Sequence, residues 1–397
     1  MKYLLVVLTV LSVISSLAAL DLDFFGMAEG RFRYEMDNQT NNTDSDSDMR
    51  LKESKYNDLS FLYGGFVGVD AKFRNALRAN LTIGLDGVSN MVKAPSDMTI
   101  IVDEAAIYYD DDKWIFGMGK YGEEDHAVNI LHYNYSQPVD KWWAENRGYM
   151  MGITPGFRVN KNVMFRILTD AVYNTHGYTT KTKEGTETEN PSKDQWVVGG
   201  SIPMKFMEKD AFKFEPMILY SLEAITTASD TFGTTYERIP SRITFGASIG
   251  YDITEKVNFS IGGGMSSCSI DKERDADKNI NAIYYKDSAM NILGGLTFKD
   301  LGPGSLVLMG HYGSWKNTVR DNNDNETDIT FNTMFFRVEY PLILGRLDTD
   351  NEAKRAKTQI YLKPRIKVWM TTWDPDDTVT LDKDTKMRFE MILGGKF

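Results

Sequence analysis

MRFEMILGGKF, residues 387–397, decides how this chain is read. Met387, Phe389, Met391, Leu393 and Phe397 fall at alternate positions and Arg388, Glu390 and Lys396 between them, which is a strand period and not a helical one. Such a strand needs an apolar medium on one side and water on the other. An ordinary edge strand of a soluble sheet is the plain alternative. A barrel in lipid gives the stronger reason for an apolar strand that runs out on a Phe carboxylate, because its last strand must pair with its first to leave no backbone edge open.

Average properties do not contradict this. The 397 residues are 42% hydrophobic and 25% charged, with a mean hydropathy of -0.36, values that suit a soluble protein. In a transmembrane barrel, lipid-facing and interior residues alternate, so the mean conceals the pattern. Aromatic residues make up 12% of the chain, which suits interfacial girdles. The single cysteine, Cys268, excludes an intramolecular disulfide and a multi-cysteine metal site. His126, His132, His176 and His311 lack the close spacing of a helical zinc motif, so neither metal nor cofactor is expected. A net charge of -11 argues against nucleic acid as a partner, since phosphate binding needs a basic footprint. MKYLLVVLTVLSVISSLAA at the N-terminus, with Lys2, an apolar core and small residues at the end, predicts a secretory signal over residues 1–18, cut near Ala18 or Ala19. Residues 19–397 are then one exported domain.

Outward from the C-terminus the same period recurs. AEGRFRYEM places Gly30, Phe32, Tyr34 and Met36 opposite Glu29, Arg31, Arg33 and Glu35, and a polar tract, NQTNNTDSDSD, follows as an exposed loop. Leu59, Phe61, Tyr63, Val67, Val69 and Phe73 share one face of the next run. Leu77, Ala79, Leu81, Ile83 and Leu85 alternate with Arg78, Asn80, Thr82 and Asp86 in the run after it, and the two form a hairpin. Short turns near 110–112, 160–162, 208–211, 254–256 and 299–304 take turns with long polar loops near 174–194, 223–240, 269–278, 315–328 and 372–386. The stretch 345–357 falls where a short turn is due and is read as holding a helical turn. No fixed repeat of solenoid or propeller length is present. The expected fold is all-β, an antiparallel up-and-down transmembrane barrel of about sixteen strands with its short turns at one end.

Two motifs carry a resemblance. The closing stretch resembles the last strand of Gram-negative outer-membrane proteins, in which alternate apolar residues and a terminal Phe, here Phe389, Met391, Leu393 and Phe397, act as the assembly signal. Gly395 departs from that pattern. DEAAIYYDDDKWIFGMGKY, residues 103–121, followed by a long loop after the fifth strand, resembles the general diffusion porins, although the Pro-Glu-Phe-Gly-Gly run of enteric porins is absent. The resemblance implies residence in the bacterial outer membrane and a third long loop folded into the barrel. It implies a homotrimer, contacts with outer-membrane lipid, lipopolysaccharide and the barrel-assembly machinery, and passive diffusion of small hydrophilic solutes and ions.

Alternation also sorts the charges. Arg31 and Arg33 on the first strand, Lys363, Arg365 and Lys367 on the fifteenth and Arg388 on the last become neighbours when a barrel closes, giving a basic wall. Arg337, with Glu339, and Lys72 and Arg78 extend it. The long segment 122–148 carries Glu123, Glu124, Asp125, Asp140 and Glu145. If it narrows the lumen as the resemblance implies, opposed charges set a transverse field that filters solutes; otherwise these charges are the hydrated inner face of any wide barrel. Trp142, Trp143, His132 and Tyr133 are read as loop anchors more than as a sugar platform. The acidic runs at 44–48 and 321–328 lack the Gly and Glu offsets of a calcium loop. Cys268 is read as a small buried residue capping a strand. His311 near Ser314 is the one hint of hydrolytic chemistry and has no companion base, so no enzyme activity is expected. A substrate-specific channel, and a surface barrel acting as an adhesin or structural protein, are the alternatives; a lipid-uptake barrel with a plug is disfavoured by the early first strand.

Overall fold

The computed structural model describes residues 21–42, 51–73, 76–86, 99–122, 149–173, 178–181, 187–190, 195–230, 233–239, 241–272, 283–320, 326–346, 358–374 and 382–397. The barrel strands, in chain order, are β1 (Asp21–Asn42), β2 (Leu51–Lys72), β3 (Leu77–Asp86), β4 (Thr99–Asp110), β5 (Trp114–Gly122), β6 (Tyr149–Asn160) and β7 (Val163–Tyr173). β8 (Gln195–Ser201, resuming at Met204–Phe206) and β9 (Phe212–Ser221) follow, then β10 (Arg242–Thr254), β11 (Val257–Lys272), β12 (Ile283–Leu301) and β13 (Gly304–Arg320). The last three are β14 (Glu326–Glu339, resuming at Leu342–Arg346), β15 (Gln359–Asp374) and β16 (Asp382–Lys396). Pro203 and Pro341 lie in the two interruptions, and proline, having no N–H, cannot donate to a ladder.

Each strand pairs antiparallel with the next, and β1 pairs with both β2 and β16, so sixteen strands close into one barrel. The seam runs from Met27 opposite Lys396 to Thr40 opposite Lys383. Beyond it, Gly26 N–H donates to the Phe397 carbonyl and Phe397 N–H to the Gly26 carbonyl, both at 3.0 Å. Glycine is needed there, because a Cβ on Gly26 would meet the Phe397 ring at 2.7 Å and the Phe66 carbonyl at 2.9 Å. Gly395, the departure from the expected apolar pattern, has open space where a side chain would stand, with nothing closer than the Gln359 carbonyl at 3.9 Å.

Burial follows the strand period, and its sense is the reverse of a soluble sheet's. On β1, Arg31 is 5% exposed and Phe32 51%; on β16, Ile392 is 0% and Leu393 55%. The apolar faces expected on the first three strands and the last therefore point outward. Outward aromatics gather near the short turns, with Trp114 5.0 Å from Phe157 and Phe212 6.2 Å from Phe206 and 6.3 Å from Tyr251.

Several loop expectations change, and strands run into the ends of the stretches 269–278, 315–328 and 372–386 expected as loops. β1 and β2 extend their ladder to Asn42 opposite Leu51, taking up part of the polar tract expected as loop, because backbone pairing continues past the last apolar residue. The polar stretches 174–194 and 223–240 each hold a short hairpin, Tyr178–Lys181 with Glu187–Asn190 and Ala224–Asp230 with Gly233–Ile239. Gly345 and Arg346 belong to β14, and the remainder of that stretch, 347–357, lies outside the described residues. The leader 1–18 and the inward loop, with Glu123, Glu124, Asp125, Asp140, Glu145 and the Trp142–Trp143 pair, also lie outside them.

Candidate functional site

The inner wall at the seam is a charged ladder whose composition follows from register. Glu339, Arg365, Glu390 and Arg33 come level across β14, β15, β16 and β1, alternating in sign. The neighbouring row reads Arg337, Lys367, Arg388 and Glu35, three cations to one carboxylate. Glu390, whose side chain is fully buried, sits among four cations: Arg365 Nε at 2.8 Å, Arg33 Nε at 3.0 Å, Arg31 Nη1 at 3.3 Å and Lys367 Nζ at 3.6 Å. Glu29 receives Lys363 Nζ at 3.2 Å, Arg31 Nη2 at 3.6 Å and the Tyr361 hydroxyl. Glu35 receives Arg388, and Asp37 receives Lys386 Nζ at 2.9 Å. The Arg388 guanidinium also lies 4.7 Å from the centre of the Trp369 ring.

Six of the cations expected at the seam, Arg31, Arg33, Lys363, Arg365, Lys367 and Arg388, are thus brought together, with Arg337 beside Lys367. They do not form a bare basic wall. Carboxylates are interleaved with them, because adjacent strands put acid and base side by side on the same face. Lys72 and Arg78 stand apart from this group. They face each other across β2 and β3 at the turn end, exposed, with Arg78 over the Tyr108 ring at 4.5 Å.

A second polar centre lies further round the wall. Arg242 contacts Asp287, donates from Nη1 to Ser266 Oγ at 3.1 Å and approaches Cys268 Sγ at 3.6 Å. Asp287 also accepts from Trp315 Nε1 at 3.1 Å and from Cys268 Sγ at 3.2 Å. Cys268 is therefore buried within β11 and held between opposite charges; the expectation that it caps a strand is corrected. Arg166 Nη2 meets Glu215 Oε1 at 2.8 Å across β7 and β9. The interior is not polar throughout. Leu168, Val197, Met217 and Leu219 on one arc and Leu293, Phe335 and Trp369 on the other belong to one buried apolar cluster. His311 is buried on the inner face, level with Leu293 and Phe335, while Ser314, an odd number of residues along β13, points to the other face, so the two do not form a catalytic pair.

No family model matches the sequence, and no curated protein matches it. Solved structures share the fold. A loop L8 deletion mutant of OmpT, an outer membrane protein of Vibrio cholerae, aligns with a TM-score of 0.50 at 11% identity, over 96% of this chain and 100% of that one. The outer membrane channel DcaP of Acinetobacter baumannii aligns with a TM-score of 0.50 at 10% identity, over 96% and 98%. An anion-selective porin from Comamonas acidovorans aligns with a TM-score of 0.43 at 10% identity, over 94% and 99%. The expectation that the chain is not an enzyme does not stand. OmpT, described only as an outer membrane protein, lies among the neighbours beside the channels, and a barrel shared at 11% identity neither assigns a reaction nor excludes one. What the chain shares with the outer-membrane porins is their fold, a closed sixteen-stranded antiparallel barrel.

Proposed function

We propose that the barrel sits in the bacterial outer membrane as a channel through which small hydrophilic solutes and ions diffuse passively. The observation that carries this is the sorting of one closed sheet into an apolar outer face and an inner face bearing paired charges. Outward residues such as Phe24, Leu59 and Leu393 meet lipid, where moving each from water contributes about 1.5–3 kcal/mol. The short turns mark the periplasmic end. Within the lumen, the row of three cations to one carboxylate gives the seam a surplus of positive charge, which sets ion preference. The acids of the segment 122–148 oppose it. The terminal Phe397 with Phe389, Met391 and Leu393 serves as the signal read by the assembly machinery, and lipopolysaccharide and two further copies of the chain complete the surroundings.

Reconstitution in planar bilayers tests this. Open steps of stable size are expected, and their absence would reject the channel. Replacing Arg31, Arg33 and Arg365 with Ala is expected to move the reversal potential in a salt gradient toward cations; an unchanged potential would remove these residues from the conduction path.

A further inference from the structure

The apolar residues of the inner face lie on two separate arcs. Leu168 on β7 and Leu219 on β9 are level, since Gly199 pairs with both, and Val197 on β8 stands one inward row further along. Leu293, Phe335 and Trp369 on β12, β14 and β15 share a single row that passes through His311 on β13. Phe335 and Trp369 pack ring to ring at 5.3 Å. The outward neighbours Ile167, Val198 and Phe336 are about half exposed, whereas Val197 and Phe335 are each 0% exposed. A side chain that faces an open, water-filled lumen stays wet; these are dry.

What covers them follows from the spacing of the strands. Both arcs belong to one contiguous cluster, in which apolar side chains touch when their heavy atoms come within about 4.5 Å. Along the wall, β9 and β12 are separated by β10 and β11, about 14 Å at the usual strand spacing, and the other way round, from Ala106 on β4 to Trp369 on β15, is about 24 Å. Among the described residues, no member of the cluster stands on the strands between the arcs, so the arcs meet across the lumen. An apolar throat of this kind offers an ion neither charge nor hydrogen bonds in place of its hydration shell, and a narrow one sheds water. The charged seam adjoins it, with the Arg388 guanidinium 4.7 Å from the centre of the Trp369 ring.

We propose that the two arcs form an apolar throat across the lumen that limits the flow of ions: the seam attracts charge, and the arcs set how much of it passes. The throat rests on the channel reading above. The experiment uses the purified full chain. In planar bilayers, Leu219→Ser on one arc and Phe335→Ser on the other are each expected to raise the unit conductance several-fold. Leu62→Ser, the same change at a buried inward leucine outside the cluster, is expected to leave it as in the wild type. Should the serine variants fail to give the folded band in unheated electrophoresis, labelling decides. Val197→Cys in a Cys268→Ser background is expected to react with a charged, water-soluble maleimide many-fold more slowly than Lys72→Cys in the same background. Its rate is expected to rise when Leu293→Ala and Phe335→Ala are added on the far arc. Unchanged conductance in both serine variants of a channel that conducts overturns the throat and leaves the channel standing. Val197→Cys labelled as fast as Lys72→Cys, or at a rate indifferent to the far-arc alanines, does the same. A barrel silent in wild type and variants alike fails the channel reading instead, and the labelling then decides whether the arcs meet.

Discussion

Glu390 shows at a single residue why the seam holds. One carboxylate with no solvent exposure has four cationic groups within 3.6 Å, so each charge that leaves water is answered by its neighbours. Removing the carboxylate takes away the partner that all four cations share, although Arg31 keeps Glu29 and Arg365 keeps Glu339. Glu390→Ala is expected to destabilise the barrel by about 3–5 kcal/mol, read as a lower unfolding midpoint in detergent. Glu390→Gln keeps the shape and deletes one negative charge from the wall, so the reversal potential is expected to move toward anions. A variant as stable as the wild type in the first case, or an unmoved potential in the second, would contradict this account. At the rim, Asp111 accepts from the Tyr109 hydroxyl at 2.6 Å and from the backbone N–H groups of Trp114 and Lys113 at 2.6 and 2.7 Å, which hold its carboxyl below the usual range. A lowered folded-state pKa means that the stabilisation is complete above the unfolded value of about 3.9 and is lost as pH falls through the folded one. Tyr109→Phe is expected to bring the Asp111 titration midpoint back up, followed by carboxyl carbon chemical shift; an unchanged midpoint would assign the shift to the backbone donors.

At the level of strands, the seam between β1 and β16 is the element on which closure depends. Gly26 lies under the Phe397 ring and exchanges two backbone hydrogen bonds with that residue. Gly26→Val is expected to slow closure, as is deletion of Phe397, and the folded band in unheated electrophoresis should then accumulate more slowly during refolding into detergent. A wild-type rate would show that the seam forms without this contact. The faces of these strands are legible in the sequence because Arg31 beside Phe32, and Arg388 beside Phe389, differ so sharply in polarity. Pairing between strands is not. That Glu390 falls level with Arg33 and Arg365 requires a register that no single strand records. The apolar part of the interior escapes the same test for another reason: in Met217-Ile218-Leu219-Tyr220 and Met334-Phe335-Phe336 both faces are apolar, so a two-residue period has no contrast to detect.

For the molecule as a whole, one closed sheet accounts for an acidic chain of soluble-like mean hydropathy with large exposed apolar residues on alternate positions. Closure removes the open edge that would otherwise face hydrocarbon, and it brings interior acids and bases from strands distant in sequence, such as Arg33 and Glu390, into ion pairs. Everything proposed about conduction depends on that ring being complete. The most direct test is a disulfide across the seam in a Cys268→Ser background, using Tyr34→Cys with Phe389→Cys, two outward positions level with each other whose rings stack at 6.5 Å. The account predicts an intramolecular cross-link in the membrane-inserted chain and none for Tyr34→Cys with Arg388→Cys, which face opposite sides of the wall. Failure of the first pair to cross-link, or equal cross-linking of both, would contradict the closed barrel.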